Sequence, residues 1–184
     1  MKLTESPIKD LMIVEPKIWA DERGYFYESF SAKIFSDAGI QVSFVQDNQS
    51  LSQKGTLRGL HAQAPPFAQG KLVRVIKGSV LDIAVDIRTN SVTYGQHFAI
   101  ELSDQNHKQL WIPPGFLHGF LTLEEGTIFT YKVTNYYDKN SEIGVNWNDQ
   151  TLNINWCEKL NANEFKLSEK DILLGDFSSF KSPF

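Results

Sequence analysis

The chain has 184 residues, 41% of them hydrophobic and 22% charged, which suits one soluble globular domain over 1–184 and is short for two. A formal net charge of -4 without any basic run excludes a general nucleic-acid binder, so a phosphate site must be built from a few converging cations. The N-terminal MKLTESPIKD lacks the apolar core of a signal peptide, no apolar run approaches the ~20 residues that span a bilayer, and the single Cys157 excludes an intrachain disulfide; the expected location is the cytoplasm, with no membrane partner.

The first strand-like run is YFYESF, after which Ser31 caps a short predicted helix ending at Gly39. VSFVQD, TLRGLHAQ and KLVRVI follow as predicted strands. SVLDIAVDIR then alternates with period two, placing Leu81, Ile83, Val85 and Ile87 on one face. HFAIEL, KQLWI and HGFLTL continue the series, and TIFTYKVTN sets Phe129, Tyr131 and Val133 together on an inward face. Turn signals at Lys77-Gly78, Thr89-Asn90-Ser91, Pro113-Pro114-Gly115 and Glu125-Gly126 separate these runs. Ser168 caps a second predicted helix ending at Gly175. Many short strands at this spacing predict a mainly β sandwich or barrel with a few short helices.

Polar side chains are densest in the segment from Gln46 to Arg74, which offers Gln46, Asn48, Arg58, His61, Gln63, Lys71 and Arg74 on predicted strands. Composition alone leaves two readings of them: a solvated strand face, or a ligand-lined barrel interior. Arg58 and His61 are three apart, so an ideal strand points them to opposite faces; Gly59 between them could mark a bulge that re-aims one. The P-G-x-x-H element ending in His118 resembles the second motif of the cupins, a jelly-roll family in which that histidine often binds metal. Here the first motif is broken, because Gln63 stands where the second histidine of H-x-H belongs and Phe67 and Ala68 stand near the expected Glu. Amide oxygen is a poor substitute for imidazole on a transition metal, so the expectation is a cupin-like barrel without a metal site. His118 is then either a hydrogen-bonded core histidine or a ligand contact.

DERGYFYESF, FVQDNQSLSQKGTLRGLHAQ, GKLVRV, DIAVDIR, QLWIPPGFLHGF, YKVTNYY and SEKD, in one order over about residues 10–171, resemble the dTDP-4-dehydrorhamnose 3,5-epimerase family throughout. The resemblance implies a cupin-like jelly roll and an isomerase that inverts C3 and C5 of dTDP-4-dehydro-6-deoxy-D-glucose to give dTDP-4-dehydro-L-rhamnose. Both carbons flank a ketone, so the reaction needs a base, an acid on the opposite face and a cation for the oxyanion, and neither a cofactor nor a metal. The resemblance assigns His61 as the base, Asp171 as its orienting carboxylate, Tyr131 as the acid and Lys71 as the oxyanion partner. It places Arg23, Glu28, Gln46, Asn48, Arg58, His118, Glu142 and Lys170 in substrate binding, with Arg23 and Arg58 on the diphosphate. The competing reading of Asp171 is a capping box with Ser168, and that of Glu28, Glu142 and Lys170 is a solvated surface. Family likeness also implies a homodimer, in which the early strands could cross between subunits. Two other readings are a sister enzyme that inverts C3 or C5 alone and a non-catalytic sugar-nucleotide-binding cupin; the second has no use for a paired base and acid.

Overall fold

The structure, a computed structural model, describes residues 1–184, and short extended runs dominate it. Thirteen strands form, in order β1 (Lys2–Glu5), β2 (Met12–Glu15), β3 (Trp19–Asp21), β4 (Gly24–Phe26), β5 (Gln46–Ser52), β6 (Leu57–Gln63), β7 (Lys71–Lys77), β8 (Ser79–Asp86), β9 (His97–Ser103), β10 (Gln109–Ile112), β11 (Phe116–Thr122), β12 (Thr127–Val133) and β13 (Glu142–Gly144). Helix α1 (Ala32–Asp37) follows β4 and α2 (Glu169–Ile172) lies near the C-terminus.

Antiparallel pairing assembles one sheet in the order β1-β2-β10-β7-β12-β5 and another in the order β13-β6-β11-β8-β9. Val73, Val75, Leu110, Ile112 and Phe129 of the first sheet meet Val80, Ala84, Leu102, Phe116 and Phe120 of the second in a buried core between them. This is the mainly β arrangement that the strand pattern predicts, with the cupin-like layout that the resemblance implies.

Strand β8 is buried along its whole length because both of its faces are covered. Leu81, Ile83 and Val85 point away from the intersheet core. They pack instead under the irregular C-terminal segment, against Leu152, Trp156, Leu160 and Phe177. The opposite face, with Val80, Asp82 and Ala84, therefore looks between the sheets. A carboxylate on that face must find a partner inside the protein.

Three local expectations need correction. Strand β5 begins at Gln46 rather than Val42, because Val42 and Phe44 pack with Phe35 and Trp111 instead of joining a ladder. Only Tyr25 and Phe26 of the YFYESF run lie in a strand, β4, which pairs solely with β3 in a two-stranded hairpin. Helix α2 stops at Ile172, short of Gly175, after Leu173 caps it with a bond to Glu169. The Ser31 cap of α1 forms, its hydroxyl accepting from the Ile34 amide, and Gly39 follows at φ +81°.

Candidate active site

Strand β6 brings Arg58 and His61 to the same cavity by breaking its own register. His118 of β11 pairs with His61, but Phe120, two residues on, pairs with Arg58, three residues back. The extra residue is a β-bulge centred on Gly59, whose φ is +117°. A Cβ at Gly59 would lie 2.5 Å from the Gly119 Cα and 2.7 Å from the His118 carbonyl oxygen, so the strands approach closely only because glycine is there. The spacing conflict between Arg58 and His61 is thus resolved by the expected bulge.

Two cavities, of about 340 and 370 Å³, share His61, Lys71 and Tyr131 as common walls. Ser50, Arg58, His118, Lys170 and Asp171 border the first, and Gln46, Asn48, Tyr137 and Glu142 border the second. Gln46 and Asn48 alternate inward along β5, and the Gln46 amide donates to Asn48 Oδ1 at 2.7 Å. Phe120 and Phe129 stack at 4.2 Å between ring centres and give the first cavity an apolar floor.

His61 Nε2 lies 2.6 Å from Asp171 Oδ1, a close contact bent away from the ideal N–H direction. Asp171 also receives the Ser168 hydroxyl on Oδ2 at 2.8 Å, while its own amide donates back to Ser168 Oγ at 3.2 Å. The capping and pairing readings of Asp171 therefore coexist: helix α2 is the device that delivers the carboxylate. Burial pulls the Asp171 carboxyl upward, but His61 and the Ser168 hydroxyl outweigh it and hold it below the ordinary carboxylate value. An ionised Asp171 favours the proton on Nε2, leaving Nδ1 as the acceptor. Nδ1 sits 4.0 Å from Glu142 Oε1.

Glu142 is itself held on two sides, by an ion pair with Lys170 and by the Tyr137 hydroxyl, which donates at 2.9 Å. Burial raises its pKa, yet these bonds bring it below the usual range. Lys71, at the start of β7, reaches the shared wall and makes no ion pair within 4.0 Å. Burial lowers its pKa to about 8, while the charges of Asp82 and Glu142 push the other way. Near neutral pH it is mainly a cation.

Asp82 was not among the sequence-derived site residues. It is fully buried, Oδ2 lies 2.9 Å from His118 Nε2, and Oδ1 has no partner. The readable signal was its phase: it falls opposite Leu81, Ile83 and Val85, hence inside. His118 is only 8% exposed, and burial lowers its pKa, with Asp82 opposing and Lys71 and His61 adding to the shift. It is both a core histidine and a cavity wall. Tyr131 pairs across to Asn48 and Val73, and burial raises its pKa against the pull of Arg58, so its hydroxyl keeps its proton.

The fold does not bring Arg23 and Glu28 to this cavity. Arg23 is 85% exposed at the tip of the β3–β4 hairpin, paired with Asp21, and Glu28 is exposed just beyond it. Arg74, from the same polar segment, donates to the Tyr27 hydroxyl at 3.3 Å outside the shared walls. No three His, Cys, Asp or Glu side chains converge in a metal-holding group. Gln63 turns its amide to loop carbonyls rather than toward His61 and His118.

A histidine with a carboxylate behind it, a protonated tyrosine and a lysine around one cavity can move protons at a carbon beside a carbonyl. Residues 5–179 match the family model for dTDP-4-dehydrorhamnose 3,5-epimerase. The curated enzyme of that name from Shigella flexneri is 50% identical over 173 residues, covering 94% of this chain and 93% of the relative. The crystal structure of the Elizabethkingia anophelis enzyme superposes with a TM-score of 0.92 at 47% identity, over 97% of each chain. A 3,5-epimerase from Legionella pneumophila, solved in complex with dTDP-4-keto-L-rhamnose, gives a TM-score of 0.92 at 46% identity, over 98% of this chain and 94% of that one. On this likeness across nearly the whole length, the chain belongs to the dTDP-4-dehydrorhamnose 3,5-epimerase family.

Proposed function

We propose that the chain inverts C3 and C5 of dTDP-4-dehydro-6-deoxy-D-glucose, giving dTDP-4-dehydro-L-rhamnose for deoxysugar synthesis. The C4 ketone acidifies the hydrogens on both neighbours. His61 Nδ1 removes one as a proton, and the electron pair passes to the carbonyl oxygen. Lys71 faces that oxygen as a cation in a site partly closed to water, where its charge counts for more than in bulk solvent. Tyr131 returns a proton from the opposite face and so inverts the carbon. Solvent then takes the proton from His61 and restores that of Tyr131, and the cycle repeats at the second carbon. Neither step changes an oxidation state.

The observation that carries this reading is that one cavity holds both His61, backed by the ionised Asp171, and a protonated Tyr131. A protein that only binds a sugar nucleotide has no use for that pair. Arg58, Gln46, Asn48, His118, Glu142 and Lys170 would hold the substrate from the remaining walls. Arg23 and Glu28 fit the same task only in a homodimer whose β3–β4 hairpin reaches the neighbour's cavity. The exposed Trp19, Tyr25 and Phe26 of that hairpin favour such a partner, since water-exposed aromatic rings gain by being covered. We read residues 1–184 as one catalytic domain acting in the cytoplasm, where the free Cys157 thiol is at home.

Trapping the product ketone with borohydride tests the reading. Recovery of L-rhamnose and its C4 epimer is the expected result. Sugars inverted at one carbon only would assign the chain to a single-site epimerase, and unchanged sugars would remove the activity.

A further inference from the structure

Gln63 stands where the cupin pattern carries a histidine, and the proton chemistry above makes no use of it. Its side chain is buried at the end of β6. The carboxamide makes three hydrogen bonds, all to main chain. Nε2 donates to the Phe67 carbonyl at 2.7 Å and to the Tyr136 carbonyl at 3.1 Å, and Oε1 accepts from the Asp138 amide at 2.7 Å. One side chain thereby ties the loop after β6 to the turn after β12. A neutral imidazole offers one donor and one acceptor, so histidine at this position could not make the same three bonds.

The tie continues outward. Gln69 donates to the Asn135 carbonyl at 2.7 Å, and the Asn135 amide donates to the Pro66 carbonyl at 3.2 Å. The turn held in this way carries Tyr137, whose hydroxyl binds Glu142, and Glu142 pairs with Lys170. Tyr137 and Glu142 both border the cavity shared with His61 and Lys71. The groups assigned to proton transfer sit on β6, β7, β12 and α2; Gln63 shares β6 with His61, but backbone ladders and the Ser168 cap hold these elements, not the Gln63 side chain.

We propose that Gln63 is a positioning residue for substrate affinity: its carboxamide fixes the 134–138 turn so that Tyr137 and Glu142 form a rigid wall for the sugar nucleotide. This rests on the sugar-nucleotide reading given above. It also assigns a purpose to the departure from the cupin pattern, in which the former ligand position has become a loop clamp.

Two variants test it. Gln63→Met keeps the volume and loses all three bonds, whereas Gln63→Glu keeps the acceptor for the Asp138 amide and loses the donors. The measurements are amide hydrogen exchange over residues 136–141 in the free protein, calorimetric affinity for unreactive dTDP-glucose, and KM and kcat with the keto sugar. Gln63→Met should lose protection at Asp138 and raise both KM and the dTDP-glucose Kd about tenfold, with kcat within about threefold of the wild type. Gln63→Glu should show the same split with at least as large a rise, because its carboxylate meets the Phe67 and Tyr136 carbonyls, and it carries the test alone if the Met variant fails to fold. Unchanged KM and Kd despite faster exchange, or a fall in kcat larger than the rise in KM, would overturn the proposal. A wild type that binds dTDP-glucose yet turns nothing over would instead overturn the epimerase reading, and the exchange and affinity data would still decide the role of Gln63.

Discussion

Replacing Lys71 by Met should make the protein more stable and nearly inactive. In the fold the Lys71 ammonium is held at about 8 against an ordinary value of 10.5, chiefly by burial, so below pH 8 the native state carries a cation that it disfavours. Each pH unit of that gap corresponds to about 1.4 kcal/mol, which sets a ceiling of roughly 3 kcal/mol. Solvent still reaches part of the side chain, so the gain expected from Met at pH 7 is on the order of 1–3 kcal/mol. For a chain of this length that is a rise in Tm of about 2–12 °C. The pH dependence gives the sign an independent check. Between pH 8 and 10.5 the unfolded chain binds the proton more tightly than the native state, so wild-type stability gains on the variant as pH rises, and the difference closes near 10.5. Activity should move the opposite way, falling about 10²–10³-fold without the oxyanion cation. Urea melts of both proteins from pH 6.5 to 10, beside initial rates at pH 7, decide the matter. A variant less stable than the wild type at pH 7 would mean that the buried ammonium is not destabilising, and one that keeps turnover within threefold would remove Lys71 from the reaction.

Asp171→Asn keeps the backbone bond to Ser168 and so should keep the fold, but it removes the charge behind His61; kcat should fall about 10–100-fold, the worth of a charge-assisted hydrogen bond, with dTDP-glucose affinity unchanged. Wild-type kcat in that variant would reduce Asp171 to a helix cap. Tyr131→Phe should still exchange solvent deuterium into the substrate through His61 while forming little inverted sugar, and an unchanged ratio of exchange to inversion by NMR would place the acid elsewhere. Gly59→Ala meets backbone at 2.5 and 2.7 Å in a left-handed conformation, so it should cost about 2–4 kcal/mol in denaturant melts; a loss below about 0.5 kcal/mol would mean the bulge relaxes freely. Wild-type turnover should decline as pH rises through about 8, where Lys71 loses its proton, and a flat rate up to pH 9.5 would contradict that assignment.

The sequence reading was clearest where alternation was strong. KLVRVI, SVLDIAVDIR and TIFTYKVTN became β7, β8 and β12 within a residue or two, and the Arg58–His61 spacing around Gly59 pointed to the bulge. It was weakest where tertiary packing overrode a local pattern. Val42 and Phe44 look like strand residues but are claimed by the cluster around α1, and β13 is too short to show a period. The C-terminal segment hides its role for a related reason: it is irregular, and its apolar residues are spaced to cover β8 and β6 rather than to follow any repeat. Asp82 does not stand out because alternation marks the apolar face of β8; once both faces are buried, the polar residue on the other face carries more information. Arg23 and Glu28 came from likeness to the family, and nothing in one copy of the chain explains them.

Proton traffic at the sugar is the most direct measure of the central claim, that His61 serves both carbons. The purified chain is incubated with dTDP-4-keto-6-deoxyglucose in deuterated water and the sugar followed by NMR, beside His61→Ala with its affinity for dTDP-glucose checked. Deuterium should enter at both C3 and C5 with the wild type, and the rate at both positions should fall about 10²–10⁴-fold with the variant. Exchange at either carbon that survives the loss of His61 at near-normal rate would contradict it.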